Sequence, residues 1–207
     1  MLYILENSDK LGAEFLTEAI PHLSLQRIRR LDELRIESDR INCAAAYIML
    51  RYALIKEYGI SEKTEFIFTE HGKPYADGHP DIYFNLSHCR NSCACIVSDS
   101  ETAVDIADIR RVSLRTAAYF CSEEELERIT AGTESNSELI RLWSRKECLS
   151  KLDGRGLMTD FKKITDDALS CVHTVKGSNY YCSYYSRQDK NEPVYISAQD
   201  IFSALSN

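Results

Sequence analysis

Two helix-length stretches, each closed by a glycine, limit what this chain can fold into. In the first, Ile41, Ala44, Ala45, Ile48, Met49 and Tyr52 recur at three- and four-residue spacing, so residues 21–58 read as largely helical. Gly59 supplies its stop, because glycine accepts the left-handed conformation in which helices commonly end. The second passes through Trp143 to a stop at Gly154, with Ser135–Glu138 as polar capping candidates. Residues 113–130 form a further helical stretch.

The remaining periodic segments are short and strand-like. They are Met1–Asn7, then 64–69, 82–87, 93–98, 102–106, 168–175, 179–186 and 193–198. Turn residues separate them at His71-Gly72-Lys73-Pro74, Arg90-Asn91-Ser92, Lys176-Gly177-Ser178 and Asp189-Lys190-Asn191. The chain therefore reads as α+β, each half holding a long helix and a small antiparallel meander. Alternate strands of a meander run the same way, so Ser87 and His88 should share a sheet edge with Asp105. Two strand steps would separate them by roughly 10 Å.

Composition excludes several classes. At 207 residues the chain suits one large domain or two small lobes. A net charge of −7 argues against nucleic-acid binding. No run of apolar residues is long enough to span a membrane. The first residues lack the basic region of a signal peptide, which points to the cytoplasm, where the eight cysteines stay reduced. Cys89, Cys93 and Cys95 lack a second ligand pair and read as small buried hydrophobes rather than a zinc site. Within this acidic chain Arg27, Arg29, Arg30, Arg35, Arg40, Arg51 and Lys56 crowd the first quarter. They read either as a solvated helix face or as an anion-receiving patch.

The chemistry concentrates on two acidic positions. Trp143, Glu147 and Lys151 follow one another at four-residue intervals and share one stripe of their helix. A carboxylate able to hold a metal beside a phosphate-neutralising lysine is what phosphoryl transfer needs. Taken alone, the pair reads equally as an ordinary exposed ion pair. Asp105, within Ala-Val-Asp-Ile-Ala, is harder to explain blandly, because a carboxylate among apolar strand residues is costly unless paired or metal-bound. Ser87 and His88, as strand neighbours, point to opposite faces and make a poor hydrolase pair. Trp143 reads as core packing.

Four segments in order, Gly72-Lys73-Pro74, Phe84-Asn85-Leu86-Ser87-His88, Val104-Asp105-Ile106 and Trp143-x2-Lys146-Glu147-x3-Lys151-x2-Gly154-x-Gly156-Leu157, resemble the 4′-phosphopantetheinyl transferases of the Sfp type. The likeness covers about residues 70–160. It implies two similar α+β lobes related by a pseudo-twofold axis. Residues 1–101 would form the lobe on the coenzyme A 3′-phosphate and adenosine side, and 102–207 the metal and catalytic lobe. It implies transfer of phosphopantetheine from coenzyme A to a serine of an acyl, peptidyl or polyketide carrier protein, with release of 3′,5′-ADP. Asp105 and Glu147 would hold magnesium or manganese. Glu147 would also take the serine proton, and Lys151 would meet the diphosphate. Ser87, His88 and Arg27 match positions at the 3′-phosphate, Lys73 and Pro74 positions flanking the adenosine, and Glu125 a supportive glutamate. A chain holding both halves is expected to be a monomer, and Lys162 and Lys163 are candidates for steering the carrier.

The chain also departs from that pattern. Ala107 stands where many relatives carry a middle metal carboxylate. Asp108 would point to the wrong face if the strand continues. Ser24, Asn42 and Cys43 replace residues that often help bind coenzyme A. These departures leave a second expectation open, a catalytically weak or inactive module that binds coenzyme A or the carrier.

Overall fold

Strand β1 (Leu2–Glu6) is apolar on both faces, and the fold is layered around it. Tyr3 and Leu5 join a core with the helix side of the molecule, while Leu2 and Ile4 join a second core on the opposite side. The computed structural model describes residues 1–154, 158–187 and 192–206. After α1 (Ala13–Ala19) and α2 (Leu25–Glu33), helix α3 (Glu37–Tyr58) runs through the first core. Gly59 ends it at φ 69°, as expected. A ribbon of β2 (Phe66–Phe68) and β3 (Pro74–Ala76) follows, then β4 (Tyr83–His88) and β5 (Ser92–Ser98).

The second half contains β6 (Ala103–Asp108), α4 (Leu114–Phe120), α5 (Glu123–Thr130) and α6 (Ser135–Asp153). It continues with α7 (Asp166–Leu169), β7 (His173–Lys176), β8 (Tyr180–Tyr185), β9 (Val194–Tyr195) and α8 (Ala198–Leu205). The first sheet has the order β4-β5-β1-β9 and the second β6-β8-β7. Alternation settles the layers. Val104, Ile106, Tyr180, Cys182 and Tyr184 meet Leu2, Ile4, Ala94 and Ile96 between the sheets. On the far face of the second sheet, Cys148 of α6 packs with Ala103, and Ser144 Oγ lies 2.8 Å from Ser183 Oγ. The mixed fold is thus helix, sheet, sheet, helix.

Several expectations are corrected. The third strand of the first meander leaves its sheet: β6 pairs with β8, in register from Ala103↔Tyr185 to Asp108↔Tyr180. Its apolar alternate residues need the second core, which β8 supplies. The helix expected over 21–58 is interrupted at 34–36, where Leu34 and Ile36 are extended. A polar helix burying only Leu31 cannot share an axis with α3, which is buried on all sides along most of its length. Residues 113–130 divide at Cys121, because Ser122 and Glu125 form a reciprocal capping box that starts α5. Ser135–Glu138 lie inside the first turn of α6 rather than capping it.

At the other end, the strand expected over 168–175 begins only at His173 and follows α7, which Thr165 caps. The last strand shrinks to two residues, since Ser197 and Asp200 make a second capping box that opens α8. The basic cluster also divides. Arg29 and Arg30 stay exposed, whereas Arg51 is buried and donates to the carbonyls of His22 and Ser61. Cys93 and Cys95 are wholly buried in the first core. Gly156, Leu157 and the turn at Asp189-Lys190-Asn191 lie outside the described residues.

Candidate active site at the junction of two sheets

β4 and β6 are the facing edges of their sheets, and side chains join them. Asn85 and Ser87, two residues apart, project from the same side of β4. Asn85 Oδ1 accepts the Val104 N–H at 3.1 Å, and Ser87 Oγ accepts the Ile106 N–H at 3.1 Å. Two buried polar side chains thus take over where a backbone ladder would otherwise run. Asp105, between those two amides, turns its side chain to the opposite face of β6, toward α6.

Three side chains converge there. Lys151 Nζ donates to Asp105 Oδ1 at 2.7 Å, to Ser87 Oγ at 2.8 Å and to the Val104 carbonyl at 3.2 Å. Ser87 Oγ in turn donates to Asp105 Oδ1 at 3.0 Å. Asp105 is only 6% exposed, and its second oxygen, Oδ2, is buried with no hydrogen-bond partner. Glu147 sits one turn before Lys151, half-buried. Burial and then the negative charge of Asp105 push its carboxyl above the ordinary range, against the pull of Lys151. The expected spacing of roughly 10 Å from Ser87 to Asp105 is corrected to direct contact, because the two residues bridge sheet edges instead of sharing one.

A cleft of about 840 Å³ opens beside this junction, between α2, α3 and the β2–β3 ribbon. Arg27 lies in its wall, its guanidinium 4.9 Å from the ring centre of Phe66 and 5.5 Å from that of Tyr47. Its Nη1 donates to Cys43 Sγ at 3.3 Å. Arg29, Arg30, Phe68, Pro74 and His88 also line the cleft, so basic and aromatic groups predominate over the acidic Glu33, which pairs with Arg30, and Asp39. His88, the last residue of β4, links cleft and junction. It keeps an exposed side at the cleft, yet the partial loss of water around its ring, then the charge of Lys151, holds its imidazole below the ordinary value, with Arg27 adding to the effect and Asp39 and Asp105 opposing it.

Residues 101–197 match the model of the 4′-phosphopantetheinyl transferase superfamily. The chain is 25% identical to 4′-phosphopantetheinyl transferase psf-1 of Bacillus pumilus, over 76% of this chain and 69% of that one. It is 27% identical to 4′-phosphopantetheinyl transferase gsp of Aneurinibacillus migulanus, over 75% and 62%. With 4′-phosphopantetheinyl transferase Sfp of Bacillus subtilis (strain 168) it shares 30% over 53% of this chain and 50% of that one. This chain is a relative of the 4′-phosphopantetheinyl transferases. The match to gsp and Sfp spans between half and two thirds of those proteins' length.

The residues singled out by likeness to these transferases fall into three places. Arg27, Pro74 and His88 line the cleft. Ser87, Asp105 and Lys151 meet at the junction, and Glu147 lies one turn before Lys151 on α6, near enough to feel the charge of Asp105. Lys73 does neither: its buried amine donates to the Leu152 carbonyl at 2.9 Å, fastening the β2–β3 ribbon to the end of α6. Asp108 does occupy the face opposite Asp105, where its Oδ2 accepts the Arg90 N–H at 2.8 Å. Ala107 shares the face of Asp105 and brings no carboxylate. Glu125 is tied to Lys146, at 2.6 Å, a wholly buried lysine. Lys163 pairs with Asp160 on the surface. The sequence reading gave no part to Asn85; its two-residue spacing from Ser87 was the available signal.

Proposed function

We propose that this protein transfers the 4′-phosphopantetheine group of coenzyme A to a serine of an apo carrier protein, releasing 3′,5′-ADP. The reading includes a monomer acting in the cytoplasm. The observation that carries it is Asp105: a buried carboxylate with one bare oxygen, set beside Glu147 and Lys151 and next to a basic, aromatic cleft of nucleotide size.

Hard oxygen ligands with a free position suit magnesium or manganese, and two carboxylates suffice because magnesium keeps several waters. Asp105 and Glu147 would hold the cation, which supplies charge neutralisation at the diphosphate. Lys151 adds a second positive charge for the diphosphate oxygens, from a place where it now neutralises Asp105. Arg27 and His88 offer donors to the 3′-phosphate, and the exposed ring of Phe68 offers a flat face to the adenine. The carrier serine oxygen attacks the phosphorus bearing pantetheine, its proton passes to Glu147, and the bond to the bridging oxygen breaks.

Incubation with coenzyme A, magnesium and a panel of apo carrier proteins tests this directly. One phosphopantetheine should be added to an acceptor, as read by intact mass, and Glu147→Gln should abolish the gain. A panel left entirely unmodified would count against transfer. Ala107 favours the alternative of a binding module without turnover. Under that alternative the parent is silent and Ala107→Glu restores activity, whereas an active parent excludes it.

A further inference from the structure

Ser87 has no hydrogen-bonding capacity left for a phosphate. A serine hydroxyl holds one proton and two lone pairs. The proton goes to Asp105 Oδ1 at 3.0 Å. The lone pairs receive the Ile106 N–H at 3.1 Å and Lys151 Nζ at 2.8 Å. The residue is 6% exposed and is absent from the lining of the basic cleft, which His88, its neighbour on the other face of β4, does line. A phosphate at Ser87 would have to take the one proton that now orients Asp105.

We infer that Ser87 is a positioning residue for the Asp105 carboxylate, one half of an Asn85–Ser87 clip between the sheets, and that it does not contact the 3′-phosphate of coenzyme A. Asn85 holds β6 at Val104 and Ser87 holds it at Ile106, so the residue between is presented at a defined height toward α6. Ser87 then fixes the carboxylate's rotation by bonding Oδ1, which leaves Oδ2 as the bare oxygen. Groups that orient a metal ligand in this way set the affinity of the site without touching the ion. The inference rests on the proposed function, since it takes Asp105 to be a ligand.

The test measures manganese, whose free ion is read by electron paramagnetic resonance, on the full chain with coenzyme A present. Ser87→Ala should weaken manganese binding by roughly 10- to 100-fold. Ser87→Thr, which keeps the hydroxyl, should stay close to the parent. The ratio of affinities for coenzyme A and 3′-dephospho-coenzyme A should not change in either variant. If Ser87→Ala does not fold, Ser87→Cys, close in shape and weak as a donor, carries the same expectation of weaker manganese binding. Unchanged manganese affinity in the Ala or Cys variant, or collapse of the discrimination between the two nucleotides, would overturn the inference alone. A parent protein that binds no manganese in the presence of coenzyme A would overturn both this inference and the metal-dependent reading beneath it.

Discussion

Glu147 and His88 carry opposite perturbations at neighbouring ends of the site, and each has a measurable consequence. Burial and the charge of Asp105 raise the Glu147 carboxyl. A group whose folded value lies above its unfolded one stabilises the fold at pH below the unfolded value, and that contribution is lost as pH rises through the folded one. Near neutral pH the ionised Glu147 therefore opposes folding in metal-free protein. Glu147→Gln should melt at a higher temperature than the parent near pH 7 with chelator present, and at the same temperature below the ordinary carboxylate range. Equal melting at both pH values would show that the charge is not felt. His88 runs the other way: partial desolvation of its ring and the charge of Lys151 keep it neutral near pH 7. A bound phosphate raises an imidazole's pKa, so coenzyme A should bind with proton uptake at slightly acid pH. Calorimetry in two buffers of different ionisation enthalpy reads that uptake, and His88→Gln should remove it.

At the scale of elements, α6 is the part most dependent on a single buried charge. Lys146, with no exposed surface, spends its three donors on Glu125 at 2.6 Å, the Phe120 carbonyl at 3.0 Å and the Phe161 carbonyl at 2.9 Å. One side chain thereby ties α6 to the end of α4, the start of α5 and the turn at Phe161. Trp143, three residues earlier, packs its ring 5.1 Å from Phe120 and 5.2 Å from Phe161, as a core residue does. Lys146→Met should cost roughly 3–5 kcal/mol, because it leaves a buried carboxylate and two carbonyls without a donor. Urea unfolding checks this, and Lys146→Met with Glu125→Leu should recover part of the loss. The elements themselves were legible where a signal is local. Gly59 and Gly154 stop their helices at φ 69° and 76°. Ser122-x-x-Glu125 and Ser197-x-x-Asp200 are equally local capping patterns; the first separates α4 from α5 and the second ends the extended chain after β9 by starting α8.

Across the whole molecule, the chain's last described segment returns to its first strand. β9 lies parallel to β1, pairing Tyr3↔Val194 and Ile4↔Tyr195. α8 then buries Ile201 and Phe202 in the first core, with the Phe202 ring 5.5 Å from that of Phe15 and 6.1 Å from that of His22. Phe202→Ala should destabilise the protein by about 3–5 kcal/mol, read as a lower urea midpoint with an unchanged slope. A shift near zero would mean that α8 adds nothing to the first core.

Local periodicity and residue chemistry were enough, by themselves, for the α+β class, the two long helices, the turn at Gly72 and the placing of Glu147 one turn before Lys151 on α6. Each depends on neighbours within a turn or a strand, so short-range sterics and hydrogen bonding decide it. Which sheet β6 joins was decided only in three dimensions. A strand of alternating Val104 and Ile106 pairs as well with one edge as another until the burial of both faces is counted. Ser87 meets Asp105 for the same reason: the contact exists because two sheets stack with facing edges, a juxtaposition that no spacing within either strand encodes.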